Sequence, residues 1–219
     1  MARRRSLPET ASVALPGSDG RLFAPSAARN AEAICAMIAT HAPKAGRALE
    51  IASGTGEHAV RLAARLPGLD WQPSDIEPER RASIDAWVAH AGQPNLRPSI
   101  ALDACAPGWG AAQSGHDLIF ASNILHLVSA EEAKTLIVEA ARALAPDGLL
   151  MIYGPFLRET GFASRNDAQF HASLTETDPE IGYKALAHVE AWMRGAGLIV
   201  QGPAPMPSNN LMLIARKPR

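Results

Sequence analysis

The first regular hydrophobic period in the chain follows Pro25-Ser26, where Ala31, Ile34, Cys35, Ile38 and His41 recur at helical spacing with Met37 beside them. Residues 1–20 mix Arg, Pro, Ser, Gly and Asp without a period and read as a flexible N-terminal arm. Ser26 is the expected N-cap of this first helix, and Pro43 and Gly46 close it. Arg47–Ala52 has the composition of a strand, broken by Gly54 and Gly56. Helical spacing returns over Glu57–Leu66, with Ala59, Leu62, Ala63 and Leu66 on one face. Next come a strand around Asp70–Ser74 and a helix from Pro78, which Gly92 ends and which turns Ile84, Trp87, Val88 and Ala91 inward. Arg97–Leu102 and Asp117–Ala121 are further strand candidates, Glu131–Leu144 is a helix, and Pro146-Asp147-Gly148 turns the chain into strand Leu149–Tyr153. Strands alternating with helices across short turns predict an α/β fold with a parallel sheet covered on both faces.

Residues 154–183 interrupt that rhythm with Gly, Pro, Thr and Asn and contain one expected helix near Asp167–Thr175. A last helix, Ala185–Ala196, precedes Leu198–Gln201 and Leu211–Ala215, which have no helix between them and are expected to pair antiparallel. The expected organisation is therefore an arm over 1–20 and a single domain over 21–219, with an insertion at about 154–183.

Composition narrows the function classes. With 21 basic against 22 acidic residues, the net charge of −1 lacks the basic excess that a general nucleic-acid or anionic-membrane binder needs. Aromatics at 5% are too sparse for a base-stacking platform. The apolar run Leu149–Tyr153 is far short of the roughly 20 residues that span a bilayer. Arg3-Arg4-Arg5 is followed by Ser6-Leu7-Pro8-Glu9-Thr10 where an export signal would place an apolar core. Cys35 and Cys105 are too few for a disulfide framework, so a cytoplasmic location is expected.

The chemistry concentrates on Leu49-Glu50-Ile51-Ala52-Ser53-Gly54-Thr55-Gly56-Glu57-His58-Ala59, a strand, a glycine turn and a helix start in succession. Such turns let backbone approach a ligand and present free N–H groups. Asp75 closes the second strand and Asp103 the third, so these acids and the glycines fall along one carboxyl edge of the sheet, where open α/β sheets bind ligands. Gly54-x-Gly56-x-x-Ala59 also meets a loose dinucleotide fingerprint, which keeps NAD(P) in view. Glu50 argues against it: a carboxyl beside the turn repels a pyrophosphate and attracts the ammonium and sulfonium of S-adenosylmethionine.

With these residues the chain resembles the class I S-adenosylmethionine-dependent methyltransferases. More closely, Ser26-Ala27-Ala28-Arg29-Asn30, the Glu50–Val60 segment, Trp71-Gln72-Pro73-Ser74-Asp75, Gly154-Pro155-Phe156 and Asn209-Asn210-Leu211 are similar to the methyltransferase-like 26 family, a domain of unknown function numbered 938. The resemblance spans about residues 21–215. It implies a Rossmann-like seven-stranded, mostly parallel sheet of order 3-2-1-4-5-7-6 with a reversed last strand. It also implies that Gly54 and Gly56 flank the methionine part of the cofactor, Asp75 holds the ribose, Asp103 and Ala104 meet the adenine, and Asn123 to His126 lie near the methyl donor. Ala52 stands where many class I enzymes carry a further glycine.

A sulfonium methyl is already activated, so placement of the acceptor and exclusion of water are the protein's main tasks. His126, His58 and Tyr153 are the candidate acid–base residues. Phe23, Asn30, Phe156 and Asn210 are the candidates for an acceptor pocket, and the acceptor is expected to be a small molecule. The histidines show no metal-ligand spacing. A protein that binds the cofactor without catalysis is the alternative.

Overall fold

In a computed structural model that describes residue 8, residues 11–17 and residues 19–219, the sheet strands are β3 (Gly46–Ile51), β4 (Leu69–Asp75), β5 (Ile100–Ala101), β6 (His116–Ser122), β7 (Leu144–Gly154), β8 (Ile199–Pro205) and β9 (Leu211–Arg216). They lie in the order β5-β4-β3-β6-β7-β9-β8, which counted within this sheet alone reads 3-2-1-4-5-7-6. β3 pairs parallel with β4 and β6, and β6 with β7, while β9 runs antiparallel to both β7 and β8. The outer strand β8 includes Pro203 and Pro205, which have no N–H to offer a further neighbour.

Side-chain parity divides the core. On one face Leu49, Ile51, Ile119, Ala121, Leu150, Ile152 and Leu213 pack under helices α5 (Ala130–Ala143) and α7 (Leu186–Gly195). On the other, Ala48, Leu118, Phe120, Met151, Met212 and Ile214 pack under α1 (Pro25–His41) and α2 (Glu57–Arg65). Successive residues of a strand point to opposite faces, so a central strand buried on both sides is apolar throughout. Glu50 breaks that rule: it occupies a position of β3 that the period assigns to the α1–α2 core.

Several boundaries differ from the sequence expectation. Helix α1 begins at Pro25 with Ala24 as its N-cap, so Ser26 lies inside the first turn and caps nothing. No side chain of α1 caps this end; the Ala24 N–H instead donates to Glu57 Oε2 at 2.6 Å. β5 keeps only two of the residues expected over 97–102, because Pro98 lacks a ladder donor and the Arg97 guanidinium is drawn to Asp70 at the surface. Part of the arm is ordered: β1 (Leu15–Pro16) pairs antiparallel with β2 (Leu22–Phe23). The chain also forms α3 (Pro78–Ala91), a short α4 (Trp109–Ala112), a 3-10 turn at Leu125–Leu127, and α6 (Arg165–Thr177) inside the 154–183 segment. Among the described residues no helix is long and apolar enough to cross a membrane.

Candidate functional site

The carboxyl ends of β3, β4 and β6 open into a cavity of about 710 Å³, within the range typical of small-molecule and cofactor sites. Glu50, Ala52, Gly54, Asp75, Asp103, Ala104 and Asn123 all line it.

Glu50 forms the floor. It is 1% exposed, and its Oε2 accepts a 2.9 Å hydrogen bond from the Trp71 indole. Burial pushes its carboxyl up to about 8, with Asp75 adding to the shift and the Trp71 bond opposing it. The loop that follows is locked from behind: Ser74 Oγ donates to the Glu50 carbonyl at 2.7 Å, and the Ser53 N–H to the Ser74 carbonyl at 2.8 Å. Ala52 is held at φ +52°, and at the end of β6 Asn123 is held at φ +55°. Left-handed backbone costs a residue with a Cβ roughly 1–2 kcal/mol, and such residues collect at binding sites.

The two glycines of the turn do different jobs. Gly54 has φ +60°, and a Cβ built on it meets nothing within 4 Å; the space above it is the cavity. Its N–H donates to Asp75 Oδ2 at 3.0 Å. Gly56 does not line the cavity. It is the N-cap of α2 at φ +96°, and a Cβ there would stand 3.0 Å from the Ile84 Cα and 3.2 Å from the Trp87 ring, so this glycine serves the approach of α3. Gly56 thus packs against α3, while Ser53, Gly54 and Thr55 form the cavity wall at this turn.

Asp75 is buried, and burial raises its pKa against the bonds from the Gly54 and Glu77 backbone. Each carboxylate oxygen accepts one of these N–H groups, the Glu77 bond being 3.0 Å, which leaves lone pairs on both for a ligand. Asp103 closes an Asx turn, accepting the Cys105 N–H at 3.0 Å. The Ala104 carbonyl accepts from the Trp109 indole at 3.0 Å, fixing the far wall.

Of the candidate acid–base residues, only His58 lines the cavity. Its Nε2 lies 2.9 Å from Asn30 Oδ1, while no described residue partners its Nδ1. Burial, with the Arg61 charge, lowers its pKa to about 4, so the ring is neutral at physiological pH. Tyr153 lies beneath the sheet on the α1–α2 face, where its hydroxyl accepts from Asn210 Nδ2 at 2.8 Å. Burial raises its pKa, and hydrogen bonding from Asn30 and Asn210 opposes the rise. His126 is turned away from the cavity although Ile124 and Leu127 line it. It packs edge-on against Phe170 and Tyr183, with burial and the Lys184 charge lowering its pKa to about 3.

The four residues expected to form an acceptor pocket also stand off the cavity wall. Phe23 meets the Trp87 ring at 5.1 Å, Phe156 is buried in the α5–α7 core, and Asn30 and Asn210 engage His58 and Tyr153. Conversely, the cavity has walls that no sequence signal marked. These are Ala11, Ser12 and Val13 from the arm and Ile76 and Arg80 beyond Asp75, whereas Ser26 and Ala27, which also line it, belong to the motif Ser26-Ala27-Ala28-Arg29-Asn30 already singled out. The arm has no hydrophobic period, and Arg80 in Glu79-Arg80-Arg81 looks like one more solvated helix charge.

A model of the family described as "Protein of unknown function (DUF938)" matches residues 21–217. Among solved structures, an O-methyltransferase family protein from Burkholderia thailandensis superposes with a TM-score of 0.74 at 18% identity, over 86% of this chain and 56% of its own. An O-methyltransferase family 2 protein from Planctomyces limnophilus, in complex with apigenin, gives 0.72 at 20%, over 88% and 60%. Human N-acetylserotonin methyltransferase, in complex with S-adenosylmethionine, gives 0.68 at 16%, over 85% and 51%. This chain thus spans just over half the length of these neighbours. At such identities the likeness is one of fold, that of S-adenosylmethionine-dependent methyltransferases.

Proposed function

The chain belongs to the DUF938 family, and from the chemistry of its cleft we propose that it is an S-adenosylmethionine-dependent methyltransferase with a small-molecule acceptor, related within that family to methyltransferase-like 26. The observation that carries this reading is Glu50. A carboxyl in a core position of a central strand, with one protein donor and the cavity beside it, calls for a cation. The amino-acid end of S-adenosylmethionine supplies one, whereas the pyrophosphate of NAD(P) would bring negative charge to the same place.

The remaining residues fit that cofactor. The open space over Gly54 suits the methionine part, the free lone pairs of Asp75 suit a ribose diol, and Asp103 and Ala104, on the same cavity wall, are the residues we assign to an adenine amino group. When bound, the cofactor supplies a methyl group already activated by a sulfonium. The protein's own residues then orient and shield. Asn30 Oδ1 fits a proton on Nε2 of His58, which leaves Nδ1 as the hydrogen-bond acceptor we assign to ligand contact. Tyr153 and Asn210 hold Asn30 from behind, and His126 supports the Leu125–Leu127 turn. Neighbours named O-methyltransferases, one of them bound to apigenin, favour an oxygen on a small molecule as the acceptor.

The test is binding of S-adenosylhomocysteine by equilibrium dialysis, followed by transfer of labelled methyl from S-adenosylmethionine into a metabolite extract. Retention of the nucleoside and a labelled product are expected. Retention of NAD(P) in its place would overturn the assignment, and binding without any product would favour the non-catalytic alternative.

A further inference from the structure

We infer that residues 11–13 form a strap across the nucleoside end of the cleft, latched by Arg80, which makes the N-terminal arm a working part of the ligand site. This rests on the cofactor reading above but on different residues. The family model begins at residue 21, so the strap lies outside the region that membership describes.

Ala11, Ser12 and Val13 line the same cavity as Asp75, Ile76 and Arg80. Arg80 Nη2 lies 3.1 Å from the Ser12 carbonyl and 3.1 Å from its hydroxyl, so one guanidinium holds the strap by both backbone and side chain. The same charge stabilises the Asp75 carboxylate, which ties the latch to the acid we assign to the ribose. Val13 is 40% exposed and Ile76 51% exposed, although both line the cavity. Bare aliphatic side chains on a rim mark surface that a ligand can cover, and a flat heteroaromatic ring is the part of this cofactor that would do so.

The base of the strap is held far more firmly than its tip. Behind it, the Gly17 N–H donates to the Arg21 carbonyl at 2.7 Å, and a Cβ on Gly17 would stand 2.8 Å from the Phe23 ring. The Leu22 N–H donates to Ser83 Oγ at 2.8 Å, and the Trp87 indole to the Leu22 carbonyl at 3.0 Å. The Arg21 guanidinium lies 4.4 Å over the Trp87 ring. Ser83 in turn donates to the Thr55 carbonyl at 2.7 Å, so the hairpin is seated on the residue between Gly54 and Gly56. A segment seated at its base by partly buried bonds and, among the described residues, closed at its tip by Arg80 opens from the tip.

S-adenosylhomocysteine is the probe. Two variants of the full chain separate the parts: residues 11–13 replaced together by glycine, which leaves Asp75 and its neighbours intact, and Arg80→Gln. Each should speed release of the probe by about fivefold or more, as expected for losing one hydrogen-bonded contact, with association no slower in the glycine variant. In the wild type the probe should slow hydrogen exchange over residues 11–17. Release within twofold of wild type in both variants overturns the strap. If the wild type retains no probe, the cofactor reading fails, and the latch is judged in the ligand-free protein: Arg80→Gln must raise exchange at the Ala11 amide, which donates to the Pro8 carbonyl next to the latched Ser12, and unchanged exchange there overturns it.

Discussion

Glu50 is held neutral in the ligand-free cleft, because a pKa of about 8 leaves its carboxyl mostly protonated at pH 7. An arriving ammonium favours the ionised form, so binding should release close to one proton. Calorimetry in buffers of different ionisation heat would then give different binding enthalpies, and Glu50→Gln should abolish the difference. Asp75→Ala removes the acceptor of the proposed ribose contact and should weaken S-adenosylhomocysteine binding by about 1–3 kcal/mol, read from the same titrations. These two acids were legible in the sequence, one as an acid inside an apolar strand and the other as an acid ending the next strand. The protonation of Glu50 was not, because it depends on how far burial outweighs the opposing hydrogen bond from Trp71, a partner 21 residues away.

Between elements, the Gly54–Gly56 turn shows where a pattern stops being informative. Both glycines fit the same motif, but one faces open cavity and the other the backbone of α3. Gly54→Ala should cost only the left-handed strain of about 1 kcal/mol while a methyl group enters the cleft and impairs binding. Gly56→Ala should lower the melting temperature more, since the forced shift of α3 adds about 1–3 kcal/mol of overpacking. Equal losses in both assays would refute the division. The strand and helix alternation was readable because the periods of 2 and 3.6 are written in single residues. The orientation of His126 was not, since a 3-10 turn of three residues has too few positions to set a phase. The cleft wall from residues 11–13 was equally hidden: Arg80 holds Ser12, and Ser83 and Trp87 seat Leu22 behind it, all from α3 and distant in sequence.

Across the whole molecule, buried histidines make stability sensitive to acid. Burial lowers His58 and His116 to about 4 and His126 to about 3, from an ordinary value of 6.5. The unfolded chain accepts protons that the folded one refuses, so the stability these groups provide is complete above pH 6.5 and lost as pH falls below it. Glu50 acts in the opposite sense: raised to about 8, it favours the fold most below its ordinary value of 4.5 and loses that contribution as pH rises through 8. These three histidines against this one acid leave about two protons between pH 6.5 and 4.5, or up to about 3 kcal/mol per pH unit, with His171, also lowered, adding to the decline and Asp75, raised, opposing it. Denaturant unfolding of the ligand-free protein at pH 7, 6 and 5 should show that decline. His116, whose two ring nitrogens have no hydrogen-bond partner among the described residues, should remove about 1.4 kcal/mol per unit of the slope when replaced by Phe. A flat profile would reject the neutral histidines.

The two margins of the sheet are equally unsuited to growth. β5 offers a neighbour only two residues, and β8 interrupts its donors with Pro203 and Pro205. Both edges therefore discourage copies of this chain from extending a common ladder, a route that leads elsewhere to swapped dimers and fibrils. An interface of side chains on helical or loop surfaces would instead be tunable without disturbing the strands that hold the cleft open.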